Sequence, residues 1–87
     1  MVVEKFKNKD ALAVYRRFQN KGRMLPDGLK YLESWTEANF DRCFQLMECD
    51  DLRLFQQWVI RWQDLIDFEI VPVLSSKETV QTIKPLL

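Results

Sequence analysis

Glu48 and Glu69 stand in the apolar segments RCFQLMEC and FEIVPVL, and a carboxyl group on a buried strand face is raw material for proton transfer. Burial disfavours the ionised form, holds the proton to higher pH and brings the group within reach of acid–base work near neutrality. Gln45, in the same segment as Glu48, and Arg23 are donors suited to hold an oxyanion or a carboxylate. Tyr31, Trp35 and Trp62 supply flat apolar surface that would wall such a site and exclude water. Glu48, Glu69 and Gln45 thus form the candidate catalytic set, with Arg23, Tyr31, Trp35 and Trp62 as the candidate ligand-binding set. The same residues admit a plainer reading. Glu33, Glu48 and Glu69 would then be solvated at strand ends or paired with Arg42 or Arg23, and the aromatics would simply be core.

Much other chemistry is excluded. The 87 residues contain no histidine, so histidine triads, histidine metal clusters and the usual near-neutral switch have no residue to work with. Gly22 and Gly28 are the only glycines, too few for a phosphate-cradling loop or a dinucleotide fingerprint. Cys43 and Cys49 are six positions apart. Along a strand that is about 20 Å, whereas a disulfide needs Cα atoms within about 7 Å and zinc holds each sulfur at about 2.3 Å. They read as free thiols, and neither a metal nor a cofactor is expected. Arg16, Arg17, Lys21 and Arg23 crowd one stretch; cations there complement a helix C-terminus, or clamp an anion. Arg23 stands apart from the others because it lies beyond Gly22, in a loop able to fold over a pocket mouth.

The elements that must position these side chains can be read from periodicity. MVVEKF begins as a strand. From Asp10 to Lys21, Ala11, Val14, Tyr15 and Phe18 fall at the spacing of an amphipathic helix, and Gly22 ends it. Pro26 and the Asp27-Gly28 pair mark a turn, after which GLKYLESW reads as a second strand with Tyr31 and Trp35 on one face. The short TEANFD connection makes Arg42 to Cys49 an antiparallel third strand. Asp50 or Asp51 caps a second helix, about Asp51 to Leu65, that carries the heaviest apolar stripe: Leu54, Phe55, Trp58, Val59, Trp62 and Leu65. FEIVPVL is the fourth strand, and Pro72 places it at an edge or a bulge. Ser75 to Glu78 has the spacing of a capping box and opens a short tail helix that Pro85 ends.

The order β-α-β-β-α-β predicts a ferredoxin-like α+β domain over residues 1–75, a four-stranded antiparallel sheet with two helices on one face, followed by a tail at 76–87. The strands do not alternate as a half-solvated sheet should. Phe44 and Leu46 oppose Cys43, Gln45 and Met47, while Phe68 and Ile70 oppose Val71 and Val73. Two helices cover one face only, so a second copy related by a two-fold axis is expected to cover the other, giving a homodimer whose sheets meet face to face. Residues 1–30 carry eight Lys or Arg and three acids, and residues 31–87 five and ten, a +5 and −5 division that suits self-complementary contact within a fold or a dimer. No strongly basic domain points to nucleic acid, no apolar run approaches the roughly 20 residues of a membrane span, and MVVEKFKNKD lacks the apolar centre of a signal peptide. A cytoplasmic protein is expected.

The segments VYRRFQNKGRMLPDGLKYLESW, RCFQLMECDD and WVIRWQDLIDFEIVPV together resemble a family of short bacterial proteins known as domain-of-unknown-function family DUF3303, over the chain from the first strand to about Ser75. That family is similar to the wider dimeric α/β-barrel superfamily, which includes cofactor-independent monooxygenases and muconolactone-isomerase-like enzymes. The resemblance implies a homodimeric barrel and a cofactor-free oxygenase or isomerase acting on a small aromatic or anionic organic molecule. It names no substrate, and the histidines used by several enzymes of that superfamily are missing here. The rival expectation is a non-catalytic ligand-sensing or protein-interaction module.

Overall fold

The computed structural model describes all 87 residues. Its elements are β1 (Val2–Phe6), α1 (Ala11–Lys21), β2 (Lys30–Thr36), β3 (Arg42–Glu48), α2 (Arg53–Ile60), β4 (Ile66–Ile70) and α3 (Ser76–Ile83), with short 3-10 turns at 7–9 and 84–86. The four strands form one antiparallel sheet in the order β2-β3-β1-β4. This is the ferredoxin-like α+β arrangement anticipated from the element order.

Local chemistry sets most boundaries. The Asp10 carboxylate accepts the Ala13 N–H at 3.1 Å and opens α1. Gly22, with φ of 67°, closes it by donating its N–H to the Phe18 carbonyl at 2.7 Å. Asp51 accepts the Arg53 N–H at 3.0 Å at the start of α2. That helix ends at Ile60, sooner than its apolar stripe suggests, but turns closed by the Trp58, Val59 and Trp62 carbonyls carry the chain on to Ile66. Trp62 therefore keeps the face it would have had in a longer helix. β4 stops at Ile70, so Pro72 lies just beyond an edge strand and not within it.

One side of the sheet is the core. Val2, Phe6, Cys43, Met47 and Ile66 from the strands pack with Ala11 and Val14 of α1 and with Phe55, Trp58 and Trp62 from the α2 region in a single cluster. Trp58, Phe6, Ile66 and Val2 are fully buried, and a side chain of that kind contributes about 1.5–3 kcal/mol through burial.

β2 contains an irregularity that reverses one expectation. Tyr31 pairs with Met47, but the next partner pair is Glu33 with Leu46, leaving Leu32 as an extra residue. A bulge of this type shifts side-chain parity. Tyr31 therefore faces the helices, opposite Met47, whereas Trp35 faces away, opposite Phe44; the two do not share a face.

The side away from the helices carries Val3, Phe44 and Leu46, half-buried, with Leu32 and Trp35 about half exposed, in a surround of Lys5, Arg42, Glu48, Asp67 and Glu69. Beyond β4 every residue from 71 to 87 is exposed. α3 is nevertheless well formed, with the Ser75 hydroxyl accepting the Glu78 N–H at 3.1 Å. It projects from the body, so the chain measures 48 Å in its longest dimension with a radius of gyration of 15.1 Å, against about 12 Å for a sphere-like domain of this length.

Candidate functional site

Strand alternation brings an acidic residue to the middle of the inner face. Val2, Glu4 and Phe6 point the same way from β1, and Glu4 is paired with Cys43 of β3 on one side and Phe68 of β4 on the other. Glu4 is only 4% exposed, and it borders a cavity of about 90 Å³ between the sheet, α1 and the α2 region. Cys43, Gln45, Arg23 and the aromatic rings of Phe6, Phe18, Trp58 and Trp62 complete the relevant lining.

Arg23 reaches this cavity because its backbone is pinned. The indole N–H groups of Trp58 and Trp62 both donate to its carbonyl oxygen, each at 2.9 Å, and the Arg61 guanidinium donates to the next carbonyl, that of Met24. Met24 itself has φ of 57°, the left-handed region that non-glycine residues seldom enter, which turns the loop sharply after Arg23. The Arg23 guanidinium lies 3.5 Å from the Tyr31 ring centroid and 4.9 Å from that of Phe18. Its Nε donates to the Gln45 side-chain oxygen at 3.3 Å. No carboxylate forms a salt bridge with it, and its two terminal nitrogens have no protein acceptor.

The electrostatics follow from this packing. Burial raises the pKa of Glu4 above the ordinary 4.5, against the opposing pull of hydrogen bonds from Gln45 and Cys43 and of the Arg23 charge. Burial likewise pushes the Cys43 thiol up to about 11, with the neighbouring Glu4 adding to the effect and Thr36 opposing it. The cavity thus holds one permanent cation, a carboxyl group that resists ionisation, a thiol that is protonated at neutral pH, and an amide.

Among the residues proposed from sequence, Arg23, Gln45 and Trp62 meet at the cavity, and Tyr31 supports the Arg23 guanidinium at its edge. Glu48, Glu69 and Trp35 do not reach it. Glu48 and Glu69 are exposed on the opposite side of the sheet, because they have the parity of Leu46 and Val3 and not that of Gln45. Trp35 is carried to that side by the bulge and is 53% exposed. Glu33 is also exposed and accepts the Ser34 N–H at 3.0 Å.

Glu4 is the residue that sequence reasoning missed. The signal was there: in VVEKF the parity that carries Val2 and Phe6 also carries Glu4.

The other charged groups of α1 act elsewhere. Arg17 makes a two-pronged pair with Asp64 at 2.8 and 2.6 Å and donates to the Arg61 carbonyl at 3.1 Å, while stacking over Trp62 at 5.4 Å. It ties α1 to the turn after α2. Arg16 and Lys21 are exposed. Cys43 and Cys49 are both free; the Cys49 thiol donates to the Asp51 carbonyl at 3.4 Å. No three His, Cys, Asp or Glu side chains are grouped so as to hold a metal ion, and no helix is long and apolar enough to cross a membrane.

No curated protein and no solved structure matches this chain. A family model does, along residues 1–87: the chain belongs to the family described as domain of unknown function DUF3303.

Proposed function

We propose that this chain works as a homodimeric α/β barrel of the dimeric α/β-barrel superfamily, in the cytoplasm, holding a small aromatic or anionic organic molecule between sheet and helices. Its chemistry would be cofactor-independent proton transfer, in an isomerisation or as the first step of an oxygenation by O₂. The observation that carries this reading is the buried Glu4 side chain in one cavity with the Arg23 guanidinium, which has no carboxylate in a salt bridge with it. A carboxyl group with a raised pKa exchanges protons closer to neutral pH than a solvated one. In an isomerisation, ionised Glu4 takes a proton from carbon next to a carbonyl; Arg23 and Gln45 stabilise the resulting enolate oxygen; and Glu4 returns the proton at a second carbon.

Dimerisation is supported by the apolar side of the sheet, where Leu32, Trp35, Phe44 and Leu46 have no cover in one chain, and by the projecting tail with exposed Val73, Leu74, Val80, Ile83 and Leu86. A second copy covers both at once.

A second reading, a ligand-sensing or protein-interaction module without turnover, is favoured by the solvent exposure of Glu48 and Glu69, which leaves Glu4 as the one cavity carboxylate. Native mass spectrometry of the purified protein tests the proposal. A dimer retaining a small organic molecule, lost on substitution of Arg23, is the expected result. A monomer that never carries a ligand would overturn it.

A further inference from the structure

We infer that the cavity selects a compact planar monocarboxylate, whose charged oxygens pair with the terminal nitrogens of Arg23 while the Glu4 carboxyl group donates to one of them. The inference rests on the small-molecule reading above and goes further by fixing the ligand's charge and size.

Charge comes first. Arg17 is matched by Asp64 and Arg61 is bonded to the Met24 carbonyl, but Arg23 has no carboxylate partner. A guanidinium partly withdrawn from water needs a counter-charge. Glu4 is the only carboxylic acid lining the cavity, and burial raises its pKa above the ordinary carboxylate value. With Glu4 protonated, one negative charge on the ligand restores neutrality; an uncharged ligand then leaves the cation unpaired and a dianion overshoots. The planar fork of arginine matches two carboxylate oxygens, and Glu4 adds a third donor when it carries its proton.

Rigidity comes next. The guanidinium is held against Tyr31 and Phe18, its Nε by Gln45 and its backbone by two indoles. Little ordering is left to be done on binding. Size and shape are set by the volume, about 90 Å³, well below the roughly 300–1,000 Å³ of sites for drug-sized ligands. Aromatic walls from Phe6, Phe18, Trp58 and Trp62 favour a flat, unsaturated body. Nucleotides and peptides are too large.

The test is titration calorimetry of the 87-residue protein with crotonate and pyruvate, each against its uncharged amide, alongside intrinsic tryptophan fluorescence in a Trp35→Phe background that leaves Trp58 and Trp62 as the emitters. The carboxylates are expected to bind at least ten-fold more tightly than the amides. Arg23→Lys should weaken them by about ten-fold or more, because lysine cannot make the two-pronged pair, with near-ultraviolet circular dichroism showing the fold intact. Glu4→Gln keeps an N–H donor at the same place but has no proton to take up. The groups facing Glu4 are Cys43 and Gln45 from β3, Phe68 from β4, Tyr15 from α1 and Arg23 from the loop. Above the raised Glu4 pKa, proton uptake on carboxylate binding should appear in wild type and vanish in Glu4→Gln, read from buffers of different ionisation heat. Equal affinity for acids and amides would overturn the charge selection while leaving a small-molecule cavity standing. Carboxylate binding unaffected by Arg23→Lys would place the anion elsewhere and overturn the inference. Failure of all four probes to bind would overturn both it and the reading on which it rests.

Discussion

Trp58 and Trp62, one turn apart, donate their indole N–H groups to the same acceptor, the carbonyl oxygen of Arg23, each at 2.9 Å. Both rings are buried, so both donors need a partner, and a carbonyl has two lone pairs to offer. The core thereby fixes the loop that bears the cavity's cation. Trp58→Phe keeps an aromatic ring but deletes one donor and part of the ring volume. A loss of about 1–3 kcal/mol is expected in urea denaturation. The Trp58→Phe, Trp62→Phe double mutant should depart from additivity, since the two share one acceptor.

The buried Glu4 carboxyl group makes stability depend on pH. Its folded pKa lies above the ordinary 4.5, so the native state holds the proton more tightly than the unfolded chain. The stabilisation is complete below about 4.5 and is lost as pH rises through the folded value. Glu4→Gln removes this dependence. In denaturant titrations at rising pH, wild type should weaken relative to the variant across that window; parallel curves would show that Glu4 is solvated.

Asp64 has the opposite sign. Arg17 holds its carboxyl group down to about 2, from an ordinary 3.8. Stability from this pair is present above 3.8 and is lost as pH falls through about 2. Because Asp64 is 58% exposed, added salt should weaken the effect. Asp64→Asn should unfold at higher pH in an acid titration, by a margin that narrows in 1 M salt.

The two thiols should differ in reactivity. Cys43 is buried with its pKa near 11, so little thiolate is present at pH 7.5. Cys49 is half-buried at the strand end. Limited iodoacetamide followed by peptide mass mapping should label Cys49 first, and Cys43 only on unfolding.

Phe44 lies at the centre of the uncovered sheet side, opposite Val3 and Trp35. In the proposed dimer a charge there would be buried without a partner. Phe44→Glu should give a folded monomer by sedimentation velocity; an unchanged sedimentation coefficient would argue that copies meet elsewhere.

The fold was legible because its determinants are local. Asp10 and Gly22 bracket α1, Ser75 with Glu78 opens α3, and the apolar stripe from Phe55 to Trp62 marks the second helix. The site was legible only in part. Arg23 stands out because it follows a helix-ending glycine, and Gln45 because it is a polar residue on an otherwise apolar strand face, the one it shares with Cys43 and Met47. Glu48 sits on the other parity of that strand, and only a mixed view of the two faces places it beside Gln45. Alternation alone puts Trp35 on the wrong face, because a bulge leaves no mark in that pattern; it is created by pairing with β3. Glu4 gives a weak signal in sequence, because a glutamate between valine and lysine in a terminal strand resembles a solvated edge. Its burial depends on β1 being central, a long-range fact about β3 and β4.

Leu32 also decides whether there is a hollow at all. Step-for-step pairing from Tyr31 and Met47 would set Trp35 against Cys43, as a stopper, and turn Ser34 outward. One out-of-step residue instead sends the indole away and leaves a hydroxyl at the rim. The second strand therefore carries both a plug and a lining, and a slip of a single position would exchange an open chamber for a plugged one.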